Sequence, residues 1–387
     1  MTDGRLRRIL CLDDFEPAAR AHLPRPVFAY VSGGCETDAS LRGNRTAFAD
    51  YGFVTRILND VTRRSHATEL FGRTWAAPFG IAPMGMCALS GYRGDIALAQ
   101  AAARANIPML VSGAGLIALE EVRAVNPQAW FQAYVPGDVP RIEALLGRVE
   151  RAGYETLVVT GDTAVSGNRE NNQRAGFSTP LRPSLRLAWD GMVRPRWLLG
   201  TALRTLVSHG MPHFENATAA RGAPILSRHA ARDFGARDHL TWDHLRLVRQ
   251  RWRGKLLLKG VLSVDDAVLA RDCGVDGLIV SNHGGRQLDG TVSPLHVLPS
   301  IVAAVGDLPV MMDSGVRRGN DVLKALALGA RFVFVGRPFN YAASIAGEPG
   351  VMHAIDILSQ EILRNMALLG INRLHEMRDK RVTRLDS

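Results

Sequence analysis

Residues 277–290 read GLIVSNHGGRQLDG. A short apolar run, Gly277–Val280, gives way at once to Ser281, Asn282 and His283, then to two glycines and Arg286. The run has the length and the bounding signals of a buried strand. The glycines let a ligand or a neighbouring backbone approach closely. A lone histidine is more often structural than catalytic. Here no hydrophobic face needs the ring, and a guanidinium follows three residues later. Catalytic groups in an α/β barrel stand where strands end, and this stretch has that form.

Working outward, the same alternation of apolar run and amphipathic stretch recurs from about residue 79. Strands are predicted at Phe79–Met84, Pro108–Ser112, Trp130–Tyr134, Thr156–Thr160, Leu256–Lys259, Gly277–Val280, Pro309–Asp313 and Arg331–Val335. Helical patterns follow them, among others Asp95–Arg104, Arg141–Arg151, Val264–Cys273 and Asp321–Leu328. Eight successive βα units imply α/β class and a (β/α)8 TIM barrel rather than an open sheet. One unit spanning the whole chain, 1–387, is expected: an N-terminal helical cap at 1–78, a barrel at 79–372, and a long insertion at 163–240 after the fourth strand. That insertion is far longer than an ordinary βα loop.

Composition narrows the classes. The chain has 387 residues, 47% apolar and 22% charged, a normal globular balance. No stretch reaches the roughly 18 uninterrupted apolar residues of a spanning helix, and the N-terminus meets acidic residues before any long apolar run, unlike a secretory signal. The four cysteines lie far apart without CxxC, haem-attachment or zinc spacing, so no metal site is expected and reduced thiols in the cytoplasm are. The net charge of +10 suits nucleic acid, a membrane surface or small anions. No nucleic-acid-binding module or interleaving of arginine with stacking aromatics accompanies it, so nucleic acid is set aside.

The remaining strand ends are polar too. Strand three ends in Gln132 and Tyr134, strand four in Thr160 and Asp162, and strand five in Lys259. A buried lysine is costly without a partner, so Lys259 needs either an ion pair or an anionic ligand. Asp313, Ser314, Gly315 and Arg317 end strand seven, and Gly336-Arg337 ends strand eight, where barrels commonly hold a phosphate.

With these residues in view, the chain resembles the FMN-dependent 2-hydroxy acid oxidases and dehydrogenases. That family includes glycolate and lactate oxidases, the flavin domain of flavocytochrome b2, and membrane-bound lactate and mandelate dehydrogenases. SNHGGRQLDG (281–290) carries the resemblance, which runs from YVSGG near Tyr30 to the terminal helices. It implies an enzyme that binds FMN and oxidises an (S)-2-hydroxy acid, mandelate- or lactate-like, to the 2-oxo acid. His283 is then the base and Asp162 its partner, and Tyr134 lies near the substrate hydroxyl. Arg169 and Arg286 hold the substrate carboxylate with help from Tyr30. Pro83, Met84 and Gly85 pass beside the flavin ring, which Ser112, Gln132 and Thr160 also contact, and Ser281 at the end of strand six binds the cofactor too. Lys259 lies near the ring nitrogen that gains negative charge. Asp313, Ser314, Gly315, Arg317, Gly336 and Arg337 form the ribityl and phosphate site. A homotetramer is implied as well.

Departures from the family pattern bear on substrate and acceptor. Ala114 stands where short-chain oxidases often carry a bulky aromatic, leaving room for an aryl side chain. Gly113 replaces a small hydroxyl residue, and Gly161 a larger one. Gly85 is similar to mandelate dehydrogenases and is expected to open space at the ring. The stretch GMVRPRWLLGTALRTLVSHGMPHF (191–214) mixes arginines, Trp197 and aliphatic residues in a way that suits a membrane interface. It resembles the docking segment of mandelate dehydrogenase; a lid or subunit contact is the plainer alternative. Docking implies peripheral attachment to the cytoplasmic face of the inner membrane and a quinone as acceptor. The competing expectations are a soluble oxidase that passes electrons to O2 and makes H2O2, and a flavin-binding barrel without turnover. The second needs no carboxylate clamp. A fused haem domain finds only His22 and His66 in residues 1–78, in no haem context.

Overall fold

The computed structural model describes residues 4–227, 237–378 and 381–385. Residues 228–236 of the expected insertion, and the ends of the expected 1–387 unit, lie outside the described residues. Eight parallel strands form the central sheet: β1 Phe79–Ile81, β2 Leu110–Ser112, β3 Trp130–Ala133, β4 Thr156–Thr160, β5 Lys255–Val261, β6 Gly277–Val280, β7 Val310–Met312 and β8 Phe332–Val335. Each pairs with the next, β8 returns to β1 through Val333 and Phe79, and a parallel bridge between Ile81 and Met109 closes the circle toward β2. The fold is the expected (β/α)8 barrel.

Side chains alternate across each strand, and the barrel uses that period to build layers. Leu110, Trp130, Val158, Leu257, Ile279 and Met311 point inward and pack with Phe332 and Phe334 as a separate core. Their neighbours Val111, Phe131, Val159, Leu258, Val280 and Met312 belong to the larger core outside the sheet. Two residues beyond the inward set stand Ser112, Gln132, Thr160, Lys259, Ser281 and Asp313, all buried. One spacing rule therefore places an apolar floor and, above it, a polar layer at the carboxyl end of the barrel.

The helices begin on ordinary signals. Asp138 accepts a hydrogen bond from Arg141 N (2.9 Å) and Pro140 sits in the first turn of the helix Val139–Arg151. Ser263 caps Val264–Asp272 through the amides of Asp265 and Asp266. The C-terminal helical segment Arg337–Leu369 breaks at Ala346 and Gly347, where the glycine takes φ 59°.

The N-terminal region differs from a purely helical cap. Helices Phe15–His22, Arg25–Ser32 and Ala39–Thr46 are present, but residues 51–75 contain three short strands. Tyr51–Phe53 pairs antiparallel with Val382–Arg384, and Thr68–Leu70 pairs with Arg73–Trp75 as a hairpin. The hairpin's Leu70 and Trp75, with Phe71, pack on the barrel's inner core and close its amino end. The buried side chains of Leu70 and Trp75 each contribute on the order of 2 kcal/mol. Thr68–Leu70 and Arg73–Trp75 are mostly polar and contain no apolar run that would mark a strand in the sequence.

The insertion runs through Glu170–Ala175, Leu185–Met192, Pro195–Trp197, a π-helical turn at Leu198–Leu203, and Arg204–His209. One edge is fastened down. Trp197, 9% exposed, donates to Leu89 O at 3.0 Å, and Arg194 Nε donates to Leu23 O at 3.2 Å. His209 Nε2 lies 3.0 Å from Tyr92 Oη, and the Arg204 guanidinium sits 3.8 Å over the Tyr92 ring. The other edge exposes Leu185, Trp189, Met192, Leu199 and Val207, the last 86% exposed. Among the described residues no helix is long and apolar enough to cross a membrane.

Candidate active site

The polar layer opens into a cavity of about 270 Å3 at the carboxyl end of the barrel. His283 lies at its centre, two residues beyond Ser281, with a left-handed backbone (φ 58°) that turns the chain sharply after β6. Its Nδ1 lies 2.9 Å from Asp162 Oδ1, and its amide donates to Ser281 Oγ at 3.0 Å. Burial holds the imidazole below its ordinary 6.5, and Asp162 opposes that shift without reversing it. Burial pushes Asp162 up, but His283 and Lys259 together hold its carboxyl below the usual range. The pair is thus a neutral imidazole donating from Nδ1 to a carboxylate. That tautomer leaves Nε2 as a free acceptor.

Two guanidinium groups flank the histidine. Arg169 Nε donates to Arg286 O (3.1 Å) and its Nη2 to Gln287 Oε1 (2.8 Å). Arg286 Nη1 donates to Gly33 O at 2.7 Å, just past the end of the helix Arg25–Ser32. Burial, with Arg169 and Arg337 nearby, draws Arg286 down to about 9, which still leaves it charged at neutral pH. Tyr30 stacks on Phe177 (4.7 Å), carries Arg286 on its other side (5.1 Å), and reaches Gly85 O at 3.4 Å. Tyr134 and Ala114 line the same cavity.

Lys259, 3% exposed, has the ion pair that a buried lysine needs. Its Nζ pairs with Asp313 Oδ2 at 2.9 Å and donates to Ser281 Oγ at 2.7 Å, while the cavity stands open beside it. Burial would lower the ammonium, but Asp313 and Asp162 more than offset it. Across the barrel, Gln132 Nε2 donates to Thr160 Oγ1 (2.9 Å), and Ser112 Oγ lies 3.3 Å from Gln132 Oε1. At the far end, Arg337 donates to Val31 O, Gly33 O and Gly284 O, and a Cβ on Gly284 would come within 2.8 Å of its Nη1. Ser314 (φ 82°) and Gly315 (φ 89°) turn their loop toward the same end, where Arg317 is also buried. Pro83, Met84, Gly85, Gly315, Gly336 and both arginines border the cavity.

Residues 19–384 match the family described as FMN-dependent dehydrogenase. The chain belongs to that family. It is 38% identical over 363 residues to the (S)-mandelate dehydrogenase of Pseudomonas putida, covering 93% of this chain and 90% of that one. It is 39% identical over 373 residues to an L-lactate dehydrogenase of Caulobacter sp. (strain K31), covering 94% and 96%. Among solved structures, the monotopic membrane protein (S)-mandelate dehydrogenase superposes with a TM-score of 0.91 at 35% identity, covering 97% of this chain and 99% of that one. A mandelate oxidase with benzoyl-formic acid gives 0.79 at 36% identity, covering 97% and 98%. FMN is therefore the cofactor of this family member, and the donor set fits it. The buried guanidinium of Arg317, the half-buried one of Arg337 and the start of the helix at Arg337 suit a phosphate. Ser112, Gln132, Thr160 and Lys259 present donors and acceptors suited to the polar edge of a flavin ring.

The structure brings the expected residues together around one cavity or, for Asp162, Ser281 and Ser112, directly behind it. One expectation changes. A Cβ on Gly85 would lie 3.0 Å from Ala114 Cβ and 3.1 Å from Tyr30 Oη, so the glycine permits a close approach between loops rather than leaving free space there.

Three residues were missed. Gln287 donates to Asp162 O and Val165 O, both at 3.0 Å, and accepts from Arg169, tying the Asp162 and Arg169 segments together. Its place inside the SNHGGRQLDG stretch was the available signal. Asn340 borders the cavity and holds Ser90 Oγ at 2.7 Å and Cys87 Sγ at 3.2 Å behind the Pro83–Gly85 loop. Arg237 enters the cavity from the insertion, where no strand register could point to it.

Proposed function

We propose that this chain oxidises an (S)-2-hydroxy acid, mandelate- or lactate-like, to the 2-oxo acid, with His283 as the base. The observation that carries this is the His283–Asp162 pair at 2.9 Å in a cavity flanked by Arg169 and Arg286. A 2-hydroxy acid offers a carboxylate for two guanidinium forks and a hydroxyl proton for the imidazole. Arg169, Arg286 and Tyr30 fix the carboxylate, and Tyr134 lies toward the hydroxyl. His283 Nε2 takes the hydroxyl proton, and Asp162 stabilises the imidazolium that forms. Gln287 keeps Asp162 and Arg169 in register. Lys259 presents positive charge to the cofactor's polar edge, with Asp313 holding it in place. FMN supplies the two-electron oxidation when bound, anchored by the Ser314, Gly315, Arg317 and Arg337 end of the site.

Ala114 and the space beside it suit an aryl side chain, in keeping with the mandelate enzymes among the relatives. We also propose that the exposed apolar and arginine-bearing edge of the insertion rests on the cytoplasmic face of a membrane, and that electrons leave for a quinone there. The likeness to a monotopic membrane mandelate dehydrogenase supports this, as does the surface itself. A panel of (S)- and (R)-2-hydroxy acids tests the substrate: an (S)-acid should bleach the bound flavin anaerobically, and bleaching by none overturns the reading. Reoxidation by a quinone analogue faster than by O2 supports the acceptor; stoichiometric H2O2 in air identifies an oxidase instead.

A further inference from the structure

The insertion rejoins the barrel at Arg237–Leu240, and it does so against the loop that follows β3. His239 Nε2 lies 2.9 Å from Gly137 O. A Cβ on Gly137 would fall 2.0 Å from His239 Nε2, so the ring can occupy this place only because residue 137 is glycine. Two residues earlier, the Arg237 guanidinium lies 4.6 Å from the centroid of the Tyr134 ring. Arg237 is 7% exposed and borders the same cavity as His283, Arg169 and Arg286. Two contacts three residues apart in the barrel loop thus meet two contacts two residues apart in the insertion.

A cation over an aromatic face is attracted to the ring's quadrupole, more strongly where water is excluded. Here the partner ring is a phenol facing the reaction site. Burial, Asp162 and Tyr30 push its hydroxyl toward the protonated form, while Lys259 and Arg169 act the other way. A guanidinium fixed on the ring face adds positive potential on that second side. It also restricts rotation of the ring about its bond to the backbone.

We propose that Arg237 is a positioning residue that acts through Tyr134, orienting and polarising the phenol that faces the substrate hydroxyl. This rests on the reading of Tyr134 given above. It gives the long insertion a second task, since the segment that closes it also completes the active site.

A double-mutant cycle tests the coupling. The variants are Arg237→Met, Arg237→Lys, Tyr134→Phe and Tyr134→Phe/Arg237→Met, each as FMN-loaded protein of matched thermal midpoint. Two quantities are measured: the anaerobic rate of flavin reduction by (S)-mandelate, and the Kd of benzoylformate, which binds without reacting. Arg237→Met should slow reduction about tenfold, equivalent to about 1.4 kcal/mol, with the Kd within about twofold. Arg237→Lys, which keeps the cation, should recover most of the rate. In the Tyr134→Phe background the same Met change should cost less than about twofold. A loss of equal size in both backgrounds overturns the inference, as does a weakened Kd at an unchanged rate. A normal rate for Arg237→Met beside a slow Tyr134→Phe overturns the inference alone. A normal rate for Tyr134→Phe overturns the reading of Tyr134 and the inference with it. If Arg237→Met fails to fold, Arg237→Gln takes its place in the cycle.

Discussion

The carboxyl face of the barrel and the insertion above it answer to different physical rules. On the barrel face, polar groups are buried or half-buried and paired with one another: Lys259 with Asp313, His283 with Asp162, Gln132 with Thr160. The insertion instead leaves Leu199 and Val207 63% and 86% exposed and holds to the barrel through a few anchors such as Trp197 and His209. A site in which each group's position depends on its neighbour tolerates little change. A surface that acts through summed apolar area and charge tolerates single changes and yields only to several. The two surfaces should therefore separate under mutation: substitutions at the carboxyl face of the barrel alter chemistry or folding, and substitutions on the exposed apolar edge of the insertion alter binding to a membrane surface.

The sharpest break should come at His283, the proposed base. His283→Gln should keep FMN and lower the rate of flavin reduction by roughly 10²–10⁴-fold, the range for a positioned general base. Single-wavelength stopped flow reads this directly, and loss of FMN from the variant would instead mark His283 as structural. Next in size is Lys259→Met. It leaves Asp313 buried without its cation, and breaking a buried pair costs about 3–5 kcal/mol. A lowered thermal midpoint and reduced FMN content should appear together.

On the insertion, replacing Leu199, Leu206 and Val207 together by serine removes apolar side chains that are 63%, 44% and 86% exposed. Partition onto anionic vesicles should fall about tenfold or more, in proportion to the apolar area withdrawn. Turnover with a water-soluble acceptor should stay within about twofold. Equal loss of both would erase the distinction between the regions. The smallest effect is expected where they meet: Trp197→Phe removes the hydrogen bond to Leu89 O and should cost about 1 kcal/mol of stability.

The pH dependence separates the regions further. His283 is held below 6.5 by burial, so the neutral form that the proposed base needs persists at neutral pH. The profile of kcat/KM should be level there and fall as pH drops through that lowered value. The same shift has a stability consequence with a definite sign. The unfolded chain takes up the proton first, at about 6.5, so this contribution to stability is present above that value and lost as pH falls below it.

The barrel was legible in the sequence because its strands repeat a period of two. Trp130 and Gln132, Leu257 and Lys259, or Ile279 and Ser281 each place an apolar side chain inside and a polar one a layer above it. Chemistry-bearing residues at those positions stand out against apolar runs. The hairpin at 68–75 did not, because its strands TEL and RTW are mostly polar and have no apolar run to mark them. Arg237 was not legible either. Its place beside Tyr134 depends on how an irregular segment folds back over about 80 residues, which no local pattern encodes. Gln287 lay in plain view inside the most informative stretch, yet its contacts to Asp162 O and Arg169 follow from the turn after His283 and appear only in three dimensions.

The most direct test of the central claim is anaerobic mixing of the FMN-loaded protein with (S)-mandelate and (S)-lactate, with His283→Gln alongside. Rapid, complete bleaching of the flavin by at least one acid, slowed at least about a hundredfold in the variant, is the expected result. Bleaching by neither acid nor any other (S)-2-hydroxy acid, or at the same rate in His283→Gln, would contradict the account.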